Sequence, residues 1–323
     1  MSARAGDPVG PASPVSIAIP TYRRPEGLGR ALSGVLNQIQ DLDPALAPGG
    51  VEVLVIDNDA AGSARATVDS AAHPRVRYAV EASPGVAAVR NRALDETASS
   101  ALLVFIDDDE EPEPGWLAAL LGLHRSTGCQ AVAGLVLPAY DTQPDPWVLA
   151  GGFFERRTWP TGTPRPVAAT NCLLLDLGFV REAGLRFDEA FGATGGEDTL
   201  FTRRLTAAGG TILWCDQARV RDHVPVSRLD RRWILRRQRS HAATAVRVDL
   251  VLAGPHRRRR AILRGRALTG GCVRVLAGGA RRLLGALSGD LRHRARGARL
   301  VARGRGMIAA ALGRGAHSEY GQR

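Results

Sequence analysis

Phe105-Ile106-Asp107-Asp108-Asp109-Glu110-Glu111-Pro112 puts five carboxylates directly behind an apolar run, Ala101 to Ile106. A buried strand that empties into clustered acids delivers them to the carboxyl edge of a parallel sheet, where open α/β folds bind ligands. Carboxylates packed so closely repel one another unless something positive joins them. Their hard oxygens suit Mg²⁺ or Mn²⁺, and those ions in turn hold diphosphates. A solvated acidic loop is the plain alternative for the run taken alone.

Working outward, strand and helix alternate. Val15 to Ile19 and Val51 to Ile56 are continuous apolar runs of the kind buried on both faces. Between them Leu28, Ala31, Leu32, Val35, Leu36 and Ile39 recur at helical spacing behind Pro25-Glu26. Val76 to Val80 reads as a strand and Val86 to Ala98 as a helix. Pro114 to His124 reads as a helix with Trp116, Leu117, Leu120 and Leu121 on one face. Strands follow at Gln130 to Leu137 and Ala168 to Leu175, separated by a long Pro-, Gly- and aromatic-rich loop, Pro138 to Pro166. A helix over Glu197 to Ala208 stops at Gly209-Gly210, and Thr211 to Cys215 is a further strand. This alternation predicts an α/β fold, a Rossmann-like, doubly wound, mainly parallel sheet.

The 323 residues carry a net charge of +11 that conceals a division. His223 to Arg323 holds 24 Arg against 4 acids, whereas residues 1–222 hold 19 Arg against 28 acids. There is no lysine. An acidic body bearing a basic tail implies an anionic surface as partner. From about Arg257 small apolar residues alternate with Arg, and no stretch offers the roughly 20 uncharged residues of a spanning helix. The two readings of this segment are helices lying in the membrane interface and a helical hairpin packed on the body. Cys129, Cys172, Cys215 and Cys272 form no C-x-x-C pair, so neither a zinc site nor a disulfide framework is indicated. Met1 to Pro14 shows no secretory signal, and a cytoplasmic setting is expected.

Common nucleotide motifs are missing. A P-loop needs a lysine, Gly27-Leu28-Gly29 lies inside the first helix, and no G-x-S-x-G elbow occurs. Other signals converge. The first strand ends in Pro20-Thr21-Tyr22-Arg23 and the second in Asp57-Asn58-Asp59, on the same edge as Asp107 to Asp109. Asp57 suits hydrogen bonds from a nucleobase or ribose, and Arg90 offers a cation at the start of a helix nearby. Gly195-Gly196-Glu197-Asp198 opens another helix with two acids, which serve either as ordinary caps or as a general base toward a hydroxyl. His223 is the best placed of seven histidines for a metal or diphosphate, with a packing role the alternative.

Val15-Ser16-Ile17-Ala18-Ile19-Pro20-Thr21-Tyr22-Arg23-Arg24-Pro25, Val55-Ile56-Asp57-Asn58, Val89-Arg90-Asn91, Phe105-Ile106-Asp107-Asp108-Asp109 and Gly195-Gly196-Glu197-Asp198 together resemble family 2 glycosyltransferases of GT-A fold. The ordered set covers roughly residues 14 to 245. The branch it resembles adds sugars to bacterial surface polysaccharides and glycolipids and is inverting. The resemblance implies a GT-A domain over 14–245 and an Arg-rich helical region over 246–323. It assigns nucleotide binding to Pro20, Thr21, Tyr22, Asp57 and Arg90, with Asp108 beside sugar and ribose. Asp107 and Asp109 correspond to the D-x-D pair holding a Mg²⁺ or Mn²⁺ diphosphate, with His223 as a further metal candidate. Asp198 matches the catalytic base, and Glu197 would orient acceptor or donor sugar. Arg228, Arg231, Arg232, Trp233 and Arg236 resemble a region that closes over the diphosphate. Asp59-Ala60-Ala61-Gly62 departs from the family's usual Ser-x-Asp, and Glu110 and Glu111 receive no role.

The implied partners are a nucleoside-diphosphate sugar, a glycan or lipid-linked acceptor, and an anionic membrane on whose inner face the enzyme would sit peripherally. Two other classes fit parts of the pattern. A nucleotidyltransferase also uses clustered acids and a metal, but it would want a basic glycine-rich loop near the first strand. A nucleic-acid-binding protein acting through the tail would want aromatics among the arginines, and after Trp233 only Tyr320 follows. No nucleic-acid partner is therefore expected.

Overall fold

The structure, a computed structural model, describes residues 14–192 and 194–314. Residues 1–13, which carry most of the N-terminal reading, and Tyr320 lie outside the described residues. The chain runs β1 (Val15–Thr21), α1 (Pro25–Gln40), β2 (Val51–Asp57), α2 (Arg65–Ala71), β3 (Val76–Val80), α3 (Val86–Glu96), β4 (Leu102–Ile106) and β5 (Glu110–Pro112). It continues through α4 (Trp116–Thr127), β6 (Ala131–Tyr140), α5 (Pro146–Gly151), β7 (Pro164–Arg165), β8 (Cys172–Asp176) and α6 (Leu177–Glu182). Then come α7 (Glu197–Ala207), β9 (Ile212–Val224), α8 (Arg231–Leu252), α9 (Arg257–Ser288) and α10 (Leu291–Ala311).

One sheet has the order β3-β2-β1-β4-β8-β6-β9-β5, with β7 against β9. Its two longest ladders, β6 with β9 and β1 with β2, are parallel, as are β1 with β4 and β2 with β3. Successive side chains alternate between two helical layers, as a doubly covered sheet requires. Ile17, Ile19, Val53, Val55, Val104 and Ile106 meet α1 and α4 on one face. Ala18, Leu54, Ile56, Leu103 and Phe105 meet α3 and α7 on the other.

Two departures from the expected sheet matter for the site. First, β8 lies antiparallel between β4 and β6. The segment after β6 stays on the edge where β6 ended, so the chain re-enters the sheet running the other way without a crossover. That segment, expected as a loop over Pro138 to Pro166, contains the end of β6 together with α5 and β7. Second, the strand expected to stop at Cys215 continues to Val224. The polar Asp216-Gln217 forms a bulge, where the register with β6 jumps from Cys215 opposite Gly134 to Arg219 opposite Leu135. The extension carries Asp222 and His223 up to the acid cluster. β5, made from Glu110 and Glu111, pairs antiparallel with it.

The basic tail is a helical hairpin that packs on the body. α8 runs unbroken through the boundary drawn between 245 and 246 and seats Val248 against Phe191 and Leu200. α10 packs on α8 through Val246, Leu250, Ala310 and Ala311, and on α5 through Trp147, Val148, Ile234 and Ala295. α9 packs on α10 along glycines spaced seven apart: Gly271 faces Gly304, Gly278 faces Gly297, and Gly285 faces Asp290 and Arg294. A Cβ at Gly278 would stand 2.7 Å from the Gly297 carbonyl oxygen, so only glycine allows the backbones this close. Facing outward, α9 exposes Ile262, Val273, Leu276, Leu283, Leu284 and Leu287. No described helix is long and apolar enough to cross a membrane.

Candidate active site

The parallel register sets the acid cluster beside the end of β1, because Ala18 pairs with Phe105 two residues before Pro20 and Asp107. Thr21 Oγ1 donates to Asp108 Oδ2 at 2.8 Å, inside the protein. Arg24 Nη1 donates to both Asp108 Oδ1 and Asp109 Oδ2 at 2.9 Å. Arg23 holds a left-handed φ of 53°, uncommon for a residue with a Cβ, in the turn that delivers Arg24. Its guanidinium pairs with Asp59 at 2.9 Å, so the residue that departs from the family pattern has a local partner. Tyr22 is exposed at the same edge.

Asp57 is fully buried, and its carboxylate accepts from the backbone N–H of Asp59 (2.9 Å) and Ala64 (2.7 Å) and from the Tyr78 hydroxyl (3.0 Å). Those bonds close the β2–α2 loop. Burial and the Asp57 charge push the Tyr78 phenol up to about 12.

Around Asp107 and Asp109 the charges are crowded. Asp107, 34% exposed at its side chain yet hemmed in by loops, is pushed up to about 6 by desolvation and by Asp109, Asp108 and Asp222. Arg90 opposes the shift from 3.6 Å. Glu110 is buried and held well above the usual carboxylate range by desolvation and then by Asp107, Asp109 and Asp222. It accepts from the Asp107 N–H at 3.1 Å and from Asn171 at 2.6 Å, which gives it a role in shaping the loop. Arg228 donates to Asp109 Oδ2 at 3.0 Å. The buried Asp222 Oδ1 has no hydrogen-bond partner among the described residues.

Among the described residues no three His, Cys, Asp or Glu side chains form a ready cage for a metal. The donor set nevertheless fits a divalent ion shared with a ligand, since Mg²⁺ takes one or two carboxylates and completes its shell with phosphate oxygens. Burial first, and the neighbouring carboxylates after it, raise the carboxyls of Asp107 and Glu110. His223 donates its backbone N–H to the Asp109 carbonyl, while its ring lies 3.3 Å from Glu111 and 3.8 Å from Asp141.

Gly195 and Gly196 take left-handed φ values of 73° and 98° and turn the chain into α7. A Cβ at Gly196 would stand 2.1 Å from Thr244 Cγ2, so α8 closes tightly over this turn. Glu197 points inward and pairs with Arg90 in a buried ion pair. Desolvation pushes its carboxyl up to about 7 against the pull of Arg90, and its Oε2 has no hydrogen-bond partner among the described residues. Asp198 is half-exposed and lines a cavity of about 500 Å³ together with Asp107, Asp222 and Arg228.

The arginines of α8 are sorted by helical period. Trp233, Arg237, His241 and Thr244 recur at three- and four-residue spacing and line the cavity. Arg232 and Arg236 lie outside that spacing and are exposed to solvent. Arg231 pairs with Asp145, the N-cap of α5, at 2.8 Å. Of the four arginines expected to close over a diphosphate, Arg228 therefore reaches the acid cluster and Arg231 pins α5. Arg24, Arg237, Asp222 and Asn171 were not singled out from sequence. Arg237 was legible as the i+4 neighbour of Trp233.

The family model described as Glycosyl transferase family 2 matches residues 16–174. The chain is 34% identical over 233 residues to the succinoglycan biosynthesis protein ExoM of Rhizobium meliloti (strain 1021), covering 69% of this chain and 71% of that one. It is 27% identical over 201 residues to the glycosyltransferase AglE of Haloferax volcanii, covering 61% and 63%. Among solved structures, Staphylococcus aureus TarS superposes with a TM-score of 0.52 at 15% identity. GalNAc-T7, solved with UDP, GalNAc and Mn²⁺, gives the same score and identity. The matches cover 74% and 72% of this chain but only 42% and 51% of those two.

Proposed function

Because the chain belongs to glycosyltransferase family 2 and has the GT-A fold, we propose that it moves a sugar from a nucleoside-diphosphate sugar to a hydroxyl of a glycan or lipid-linked acceptor in polysaccharide synthesis, with inversion. The observation that carries this reading is the single cavity shared by Asp198 and Asp107. The Asp198 carboxylate takes the proton as the acceptor oxygen bonds to the anomeric carbon from the face opposite the diphosphate. The carbon–oxygen bond to the nucleoside diphosphate breaks in the same step. Arg24 and Arg228, fixed against Asp109, hold positive charge where the leaving group gathers negative charge. Arg90 holds Glu197 and faces Asp107, and so ties the base side of the cavity to the diphosphate side. A Mg²⁺ or Mn²⁺ ion on Asp107 and Asp109 would neutralise the departing diphosphate. The ligand set of GalNAc-T7, a distant neighbour of the same fold, is the kind this reading calls for.

The test is release of nucleoside diphosphate from a panel of nucleotide sugars by the purified chain. Chelation is expected to abolish release and added Mn²⁺ to restore it, and Asp109→Ala is expected to be inactive with either ion. Full activity in excess chelator removes the metal from the reading, and release of pyrophosphate instead favours a nucleotidyltransferase.

The same reading places the enzyme on an anionic membrane through α9. The six exposed apolar side chains of that helix recur on one face, and Arg266, Arg274 and Arg281 border it. Burying a Leu contributes about 1.5–3 kcal/mol at most, and each Arg near anionic lipid adds about 1 kcal/mol. Leu276→Glu with Leu283→Glu and Leu287→Glu should abolish co-sedimentation with anionic vesicles and leave the melting temperature unchanged, since all three side chains are exposed. Retained binding by the triple variant would remove α9 as the docking face. Deleting the hairpin is a poorer test, because α10 covers apolar surface of α5 and α8.

A further inference from the structure

We propose that the groove between α5, α8, α9 and α10 holds the phosphate of an anionic phospholipid at Arg282 and Arg294. The inference rests on the membrane reading of α9 and adds to it the chemical class of one bound lipid. The groove has a volume of about 520 Å³ and shares no lining residue with the cavity of Asp198. Helical period builds it. Gly279, Arg282, Leu283 and Ala286 form one flank of α9 at three- and four-residue spacing. Arg231 and Leu235 face them from α8, Arg294 and Ala298 from α10. The glycine seam seats the two arginines. Arg282 Cγ stands 2.7 Å from where a Cβ at Gly297 would lie, and Arg294 Cγ 2.8 Å from where one at Gly285 would lie. Each stem therefore rests on a glycine of the facing helix, which fixes where its cation is presented.

Charge and apolar surface together select the occupant. Three arginines line the groove and no carboxylate does. Arg231 is answered by Asp145, whereas neither Arg282 nor Arg294 has an ion pair or side-chain hydrogen bond among the described residues. The acids closest in sequence are already used, Asp290 as the cap of α10 and Asp230 as the cap of α8. Guanidinium forks match phosphate oxygens in pairs. The wall beside them is apolar, from Trp147 and Leu235 to Leu283, and an acyl chain covers such a wall where a free phosphate leaves it wet. Leu283 belongs both to this wall and to the exposed face with Leu276 and Leu287. A lipid held by its phosphate can therefore run its chains along the face that α9 offers to a bilayer. The α9 of a second copy is a poorer occupant, because Arg257–Ser288 carries no acid and would set arginine against arginine. A nucleic acid offers phosphates too, but Trp147, the one aromatic lining the groove, is 6% exposed and stacked on Phe153, which leaves little face for a base.

Calorimetric titration of the full chain with dihexanoyl phosphatidylglycerol, kept below its micelle concentration, tests the site beside dihexanoyl phosphatidylcholine and glycerol 3-phosphate. The phosphatidylglycerol should bind about tenfold tighter or more than either, since choline offsets the charge of one and the other lacks the chains. Arg282→Gln with Arg294→Gln should weaken it about tenfold or more, and Ala286→Glu should do the same by placing an anion in the groove. All three side chains are exposed, so melting curves should not move and will certify folding. Glycerol 3-phosphate binding as tightly as the lipid would make this a site for free phosphate and overturn the proposal. Phosphatidylglycerol binding that ignores both variants overturns it, as does an oligothymidylate that binds tighter than the lipid and weakens tenfold in the double arginine variant. Co-sedimentation scores the α9 face separately. If the triple leucine variant still sediments with anionic vesicles while the double arginine variant loses the soluble lipid, the phosphate site stands and the α9 face falls. If the triple variant is released while the double variant binds the soluble lipid like the parent, the face stands and the site falls.

Discussion

Replacing Asp198 by Asn is expected to cut sugar transfer by about 10²-fold or more while nucleoside diphosphate affinity stays unchanged, because removing a general base costs about 10²–10⁴-fold. The amide keeps the size of the side chain, and Asp198 lies in the first turn of α7 behind the N-cap Gly196, where losing its charge costs about 0.3–1 kcal/mol. Asp198 accepts from the Thr199 N–H in α7, a bond the Asn oxygen can also accept. Stability should therefore move by less than about 1 kcal/mol, and what is lost is the capacity to take a proton. Single-turnover rates with saturating donor separate this loss from binding. A variant that transfers near the parent rate would leave Asp198 only a first-turn acid of α7 and place the base elsewhere.

Arg90→Met is expected to destabilise the fold by about 3–5 kcal/mol at pH 8, the usual cost of stranding one member of a buried ion pair. Arg90 and Glu197 are 7% and 4% exposed at their side chains, so water screens neither. The effect should depend on pH with a definite sign. The folded-state carboxyl of Glu197 is raised to about 7 from its ordinary 4.5, so between those values the folded protein holds a proton that the unfolded chain has lost. Its contribution is thus most favourable below about 4.5 and declines as pH rises toward 7. Without Arg90 the carboxyl rises further, and the variant should recover part of its loss at pH 5. Arg90→Met with Glu197→Met should fold about as stably as the parent while transferring no sugar. Denaturant titrations at pH 5 and pH 8 measure both points. A loss under about 1 kcal/mol that is the same at both values would show that the pair carries little of the stability.

The candidate site was partly legible. Asp107, Asp108 and Asp109 were readable as an edge cluster because the strand before them is continuous and apolar, and the parallel register places them beside Thr21. Asp57 was readable as a strand-end acid, but its use was not. Whether such a carboxylate faces a ligand or its own loop depends on where Ala64 and Tyr78 arrive, and neither position is encoded near it. The end of β9 was missed because Asp216-Gln217 looks like a turn, and only the neighbouring strand converts it into a bulge. The seven-residue glycine spacing of α9 and α10 was present in the sequence as a periodic signal. It went unread beneath the more conspicuous arginines.

The sequence by itself determined the alternation of buried strands and helices, the acids at the strand ends, the two glycines before Glu197, and the division of charge between body and tail. Each is a local property, set by side-chain period, backbone freedom or composition over a few residues. The tertiary structure alone decided which charges answer one another: Arg90 with Glu197, and Arg24 and Arg228 with Asp109. These partners lie up to 119 residues apart. An ion pair reaches only a few ångströms, so its members are set by how the helices pack around the sheet and not by their spacing along the chain.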